Sequence, residues 1–136
     1  MKVRLSEIID AIDFTDESTE YFLDKETGEV VMMNEMMMGI SEYEEVSEQL
    51  DEHGFYRLPG QFDIDDYRTM EMFISTLPGP AANKLSRAIS GRGAFRRFKD
   101  MVIDLGLSDK WYKFQDDTHR NLAIRWCEEN GLKWEE

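Results

Sequence analysis

The chain has 136 residues, of which 41% are hydrophobic and 12% aromatic, a composition typical of a globular protein rather than a disordered one. A chain of this length buries roughly two thirds of its unfolded surface, so it needs neither a disulfide nor a metal to fold. The formal net charge of −13 argues against a general nucleic-acid binder, because such domains usually carry a basic excess. The excess acid is concentrated in residues 1–54, which hold 3 Lys or Arg against 16 Asp or Glu, whereas residues 55–136 hold 13 of each.

The cysteine content and the apolar runs of the sequence indicate the cellular compartment of the protein. The one cysteine, Cys127, excludes an internal disulfide and favours a reducing compartment. Residues 1–12 contain acids and lack the apolar run of a signal peptide. No apolar stretch approaches the ~20 residues that a membrane span requires. We therefore expect a cytoplasmic protein without a membrane partner.

The beginning of the chain predicts a helix followed by a β-hairpin. Ser6 is suited to cap a first helix that ends near Phe14. Two apolar runs, residues 21–23 and residues 30–33, then flank a polar stretch in which Gly28 supplies the positive φ of a tight turn.

A second helix and a third strand are predicted next. Ser41 and Glu44 match a capping box, and Gly54 ends the helix that follows. Residues 55–58, which precede a proline, are typical of a short strand, and we expect it to pair with the hairpin. Residues 1–58 thus predict an acidic α/β lobe with a small antiparallel sheet.

From residue 59 onward the periodicity is helical. The predicted helices run from an Asp63 cap to Leu77, from about Pro80 to Ile89, from Ala94 to Leu105 and from Ser108 to Asn130. We therefore predict the α+β class, with a helical lobe of about four helices in residues 59–136 and both lobes in a single domain.

Four segments of the chain are distinctive, namely residues 55–59 (FYRLP), 89–100 (ISGRGAFRRFKD), 111–114 (WYKF) and 123–131 (AIRWCEENG). They resemble those of a bacterial group known as uncharacterised protein family 0158. The resemblance implies a bacterial cytoplasmic origin. It implies no catalytic residue, because that family has no assigned activity.

The basic segment, residues 84–99, reverses the charge of the chain. It holds six basic residues and no acid, namely Lys84, Arg87, Arg92, Arg96, Arg97 and Lys99. Helical projection places Arg96 and Arg97 away from the apolar face, where they are available to a partner. Basic residues in the first turns oppose the helix dipole, so an anion bound there, beside Gly93, would be stabilising. That anion could be a phosphate, a nucleic-acid backbone or a carboxylate.

An alternative explanation of the basic segment is that its arginines dock on the acidic first lobe of the same chain. Gly91 and Gly93 likewise have a structural interpretation, because helix-turn-helix corners often contain glycine simply to make the turn. The same geometry only loosely resembles that of a DNA reader.

Five of the nine methionines lie between Met32 and Met38. They either line the core beneath the hairpin or form a partner surface, since flexible thioether side chains adapt to varied apolar groups. Three consecutive residues, Met36, Met37 and Met38, cannot all point to one core from a helix or strand. We therefore expect at least one of them to be exposed.

Catalytic and metal sites have weaker support in the sequence. His119 projects onto the apolar stripe of the last helix, and Cys127 lies two turns further on, roughly 12 Å away. At that distance the thiol is out of hydrogen-bond reach of the imidazole, so Cys127, His119 and Asp116 do not predict a catalytic triad. We therefore expect His119 to be structural. The two histidines, His53 and His119, and the cysteine show no zinc-ligand spacing.

The sequence thus predicts a non-enzymatic bacterial binding or regulatory module that engages an anionic partner through its basic segment. The alternative is a protein-interaction module that uses residues 36–38, with the basic segment docked on its own acidic lobe. No cofactor is predicted. A small enzyme that uses His119 or Cys127 is a third hypothesis.

Overall fold

The α+β class predicted from the sequence is confirmed by a computed structural model, which describes residues 2–136. The chain forms two compact units. The first contains the residues through Ile64 together with His119–Glu136, and the second contains Asp65–Thr118. The last part of the chain therefore belongs to the first unit, and the prediction of a single domain stays a prediction. No helix in residues 2–136 combines the length and the apolar character needed to cross a membrane.

The first unit contains the predicted antiparallel sheet, in the order β3-β2-β4. Its strands are β2 (Thr19–Asp24), β3 (Val30–Asn34) and β4 (Phe55–Arg57). Gly28 has a φ of 75° in the loop between β2 and β3, as the hairpin prediction requires. Both the hairpin and its pairing with the third strand are confirmed.

A second pairing in the first unit was not predicted. Strand β1 (Lys2–Arg4) runs parallel to β5 (Lys133–Glu135), with Val3 opposite Trp134. Each strand has only three residues, which is too short for the alternation of polar and apolar residues to reveal it.

The helices that lie wholly in the first unit are α1 (Leu5–Phe14), α2 (Ile40–His53) and α3 (Gln61–Ile64). The predicted caps of the first two are wrong, because Ser6 and Ser41 lie inside the first turn. Arg4 and Gly39 occupy the cap positions, and neither makes a side-chain cap bond.

The second unit is helical. Its elements are α4 (Asp66–Ser75), α5 (Gly79–Ala88), α6 (Ala94–Asp104) and residues 108–118 of α7 (Ser108–Glu129). The continuous helix predicted from Asp63 is wrong, because the helix breaks between α3 and α4. Asp65 adopts a φ of 49° at the break and accepts a hydrogen bond from the Arg68 amide at 3.1 Å.

A cluster of aromatic rings lies in the core of the second unit. The ring of Phe98 meets that of Trp111 edge-on at 4.7 Å, and Phe73 lies 5.3 Å from Trp111. Burying each such ring stabilises the fold by roughly 1.5–3 kcal/mol. Because Phe98 belongs to α6 and Trp111 to α7, this contact fixes both helices, and with them the basic residues on their outer faces.

Candidate functional site

A tight turn joins α5 and α6, the two helices that carry the basic segment. Gly91 and Gly93 have φ values of 77° and 74°, which residues with a side chain rarely adopt. The turn therefore gives both glycines the structural role considered from the sequence. Gly93 is the N-cap residue of α6, so the first-turn amides receive no side-chain cap hydrogen bond.

Arg97 departs from the expectation that it is available to a partner. Its guanidinium folds back over the turn and donates hydrogen bonds to the carbonyls of Ala88 at 2.9 Å, Ser90 at 2.6 Å and Arg92. The end of α5 leaves unpaired carbonyls and carries the negative end of a helix dipole, and a guanidinium satisfies both. Arg97 thus holds the turn together.

The other basic side chains of the segment are exposed and form no ion pair within their own unit. In Asp65–Thr118, all of which the structure describes, none of them forms an ion pair with an acid of that unit: Lys84, Arg87, Arg92, Arg96 and Lys99. The stretch without any Asp or Glu extends over residues 72–99. As a result, the second unit has 9 basic and 8 acidic residues, against 7 and 21 in the first.

The fold distributes these cations over different surfaces. Lys84 and Arg87 line an open groove of about 640 Å³ between α5 and α6, where Asp100 and Asp104 also lie. Lys99 lines a separate pocket of about 220 Å³ between α6 and α7. The predicted anion-binding residues are therefore not gathered into one pocket, and the groove contains acids that would repel an anion.

The methionine surface, Met36, Met37 and Met38, follows strand β3. Asn34 is buried, and its side-chain oxygen accepts hydrogen bonds from the amides of Met36 and Met37 at 2.9 and 3.1 Å. This turn directs both side chains outward, so that Met36 is 83% and Met37 76% exposed. The prediction that at least one of the three methionines is exposed is confirmed.

His119 has the environment of a structural residue. Its side chain is buried, and its Nδ1 lies 2.5 Å from Oδ1 of Asp13, whereas its buried Nε2 has no hydrogen-bond partner within residues 2–136 and Asp116 makes no hydrogen bond to the ring. Cys127 is fully buried, and burial raises the pKa of its thiol, with a smaller effect from the charge of Glu128. A thiol held protonated in the core is a poor nucleophile.

A cluster of charged residues lies at the hairpin loop and was not predicted from the sequence. Nδ1 of His53 is 2.8 Å from Oδ2 of the buried Asp24, and Nε2 is 3.2 Å from Glu26. Burial by itself raises the pKa of Asp24, but hydrogen bonds from His53 and from the Thr27 and Glu26 amides outweigh it and lower the pKa to about 2. The hydrogen bond to Asp24 in turn raises the pKa of His53.

Only part of that cluster had a signal in the sequence. An aspartate that opens a hairpin loop often accepts bonds from amides two and three residues on, as Asp24 does. Nothing in the sequence predicts its contact with His53, which is 29 residues away. Residues 2–136 contain no group of three or more His, Cys, Asp or Glu side chains placed to hold a metal ion.

Fold and site together define an α+β protein in which a helical unit exposes unpaired cations and a separate, strongly acidic unit exposes methionines. The chain belongs to the Uncharacterised protein family (UPF0158), whose model matches residues 1–135. The family resemblance noted in the sequence is thereby confirmed. Neither a curated protein nor a solved structure matches the chain.

Proposed function

We propose that this protein is a bacterial cytoplasmic binding module that engages an anionic partner through the exposed cations at the turn between α5 and α6. One observation carries the proposal: residues 72–99 contain no acid, and five exposed cations within them have no ion-pair partner in their own unit. Cations without ion-pair partners repel one another, and a bound anion would relieve that repulsion. Each contact between such a cation and the anion would also be a charge-assisted hydrogen bond, which is stronger than a neutral one.

The centre of the interface is expected at Arg92, Arg96 and Lys99 rather than in the groove beside Lys84. The groove also contains Asp100 and Asp104, whose charges offset those of its basic residues. Arg92 lies in the turn and Arg96 in the first turn of α6, next to backbone amides that no side chain caps. These amides and the positive end of the helix dipole favour an anion at the same place.

The test compares two double variants that remove the same charge. Arg96→Gln with Lys99→Gln changes the proposed interface, whereas Arg68→Gln with Lys110→Gln changes two exposed cations of the same unit outside the basic segment. Equilibrium affinity for single-stranded and duplex oligonucleotides and for inorganic polyphosphate is measured at several salt concentrations. We expect only the first variant to weaken binding.

The salt dependence provides a second readout. For each phosphate that a variant no longer neutralises, the slope of log affinity against log salt should fall by about 0.9 on duplex DNA and about 0.7 on a single strand. Equal affinity and slope in both variants would reject the interface. A wild-type protein with no affinity for any of these polyanions at low salt would reject the function and favour neutralisation of the segment by the chain itself.

A second candidate function is protein binding through the methionine surface. Beside Met36 lies a depression of about 370 Å³ that is lined by Glu17, Glu20 and Glu35. Exposed thioethers next to carboxylates suit a partner segment that is both apolar and basic, such as a cationic amphipathic helix.

A cationic amphipathic peptide of leucine and lysine serves as the probe for this candidate. Met36→Gln with Met37→Gln should weaken its binding in calorimetric titration, whereas Met72→Gln, at an exposed methionine of α4, should not. If both variants bind the peptide equally, this surface is not the docking site.

A further inference from the structure

The pocket between α6 and α7 presents aromatic rings both inside and at its rim. Phe98 and Trp111 are buried and line its interior. Phe95 and Tyr112 line the same pocket but remain 52% and 59% exposed. Exposed rings beside a concave surface offer stacking faces to a planar ligand.

Polar groups accompany these rings. Lys99 supplies a cation, the half-buried Asp66 supplies a carboxylate acceptor, and the half-buried Gln115 supplies an amide that both donates and accepts. A base edge is recognised by such a combination, since its amino and carbonyl groups need an acceptor and a donor side by side. The aromatic faces, by contrast, accept any base.

The size of the pocket limits the ligand. Its volume of about 220 Å³ is below the roughly 300–1,000 Å³ of sites that enclose a drug-sized molecule, so it suits one ring system with the remainder of the ligand outside. Arg96 is exposed and follows Phe95 in the first turn of α6. Because residues three apart on a helix are surface neighbours, Arg96 lies beside Lys99, which lines the pocket, and the phosphates of a ligand could contact both cations.

We propose, building on the anion-binding function above, that this pocket takes one base of a single-stranded nucleic acid. The base stacks on Phe95 and Tyr112, and the neighbouring phosphates contact Lys99 and Arg96. Single strands are favoured over duplexes because a base can reach the pocket only when it is unstacked and unpaired. The acid-free stretch of residues 72–99, which contributes Phe95, Phe98 and Lys99 to the pocket, is the charge complement of a phosphate backbone.

The experiment measures fluorescence anisotropy with a labelled oligodeoxynucleotide of about 12 residues and with an abasic oligomer of the same length and charge. The variants are Phe95→Ala and Tyr112→Ala, with Tyr112→Phe as the conservative substitution. Phe62→Ala is the matched control, because Phe62 is a 96% exposed aromatic residue of the first unit. Circular dichroism verifies that each variant is folded.

We expect each alanine variant of the pocket to weaken oligonucleotide binding by about 5- to 150-fold. Affinity for the abasic oligomer should not change, and Phe62→Ala should bind like the wild type. Tyr112→Phe, which keeps the stacking face, should retain more affinity than Tyr112→Ala. Unchanged oligonucleotide affinity in both alanine variants overturns the base pocket, while a loss in Arg96→Gln with Lys99→Gln would leave the anion-binding function standing. Equal loss for the abasic oligomer also overturns the pocket, and a wild-type protein that binds neither oligomer overturns both proposals.

Discussion

Replacing Arg97 with alanine should destabilise the second unit although its side chain is exposed. The Nε bond to the Ala88 carbonyl is partly buried, whereas the bonds to Ser90 and Arg92 are exposed and are replaced by water in the variant. A hydrogen bond from a charged group contributes about 1.5–3 kcal/mol, which exposure of the guanidinium reduces to about 1–2 kcal/mol here. At a urea slope of about 2 kcal/mol/M, the unfolding midpoint falls by about 0.5–1 M.

The neighbouring residue supplies the control. Arg96 is also exposed and lies in the same helix turn, but it donates no side-chain hydrogen bond to its own unit, so Arg96→Ala should stay within about 0.5 kcal/mol of the wild type. Urea denaturation followed by tryptophan fluorescence measures both variants. If Arg97→Ala unfolds at the wild-type midpoint, the guanidinium does not hold the turn, and the reasoning that separates structural from binding arginines fails.

Three further predictions concern the first unit. His119→Ala should lower the free energy of unfolding by about 1–3 kcal/mol and leave oligonucleotide affinity unchanged; loss of binding with the fold intact would show a functional histidine instead. Cys127 should react slowly with a thiol reagent in the native protein and rapidly in urea, since burial raises its pKa, and a fast native reaction would contradict that placement. His53 has a raised pKa, so its contribution to stability is present below roughly pH 6.5 and is lost as the pH rises through its folded pKa. Asp24, with a pKa of about 2, contributes above roughly pH 4 and loses that contribution as the pH falls. The wild-type urea midpoint should therefore decline from pH 6 to pH 8, and His53→Gln should remove the decline. If the wild type and the variant give parallel curves over this range, the ion pair is not the cause of the decline.

Local features of the fold could be predicted because neighbouring residues determine them. The hairpin loop needs a positive φ at Gly28, and the apolar runs on each side of it pair in the register that their burial requires. Gly54 and Gly131 follow the ends of α2 and α7, and both adopt positive φ, a conformation that ends a helix. Cap residues were less predictable, because the direction in which the chain enters a helix decides whether Ser41 or Gly39 takes that position.

Contacts between distant segments are what the sequence did not reveal. The pairing of β1 with β5 joins segments near opposite ends of the sequence, and the contact between Asp24 and His53 depends on the return of α2 to the hairpin. The candidate site shows the same limit. The sequence identified every cation of the basic segment, but the bonds of Arg97 and the separation of Lys84 from Lys99 follow from how α5 and α6 pack.

The most direct test of anion binding through the basic segment is a titration of the isotope-labelled protein with a single-stranded oligonucleotide, observed through its backbone amide resonances. The proposed function predicts that the largest shifts occur in the turn and first turns of α6, residues 91–99, and that added salt reverses them. Titration with no shifts, or with shifts confined to the residues of the acidic first unit, would contradict it.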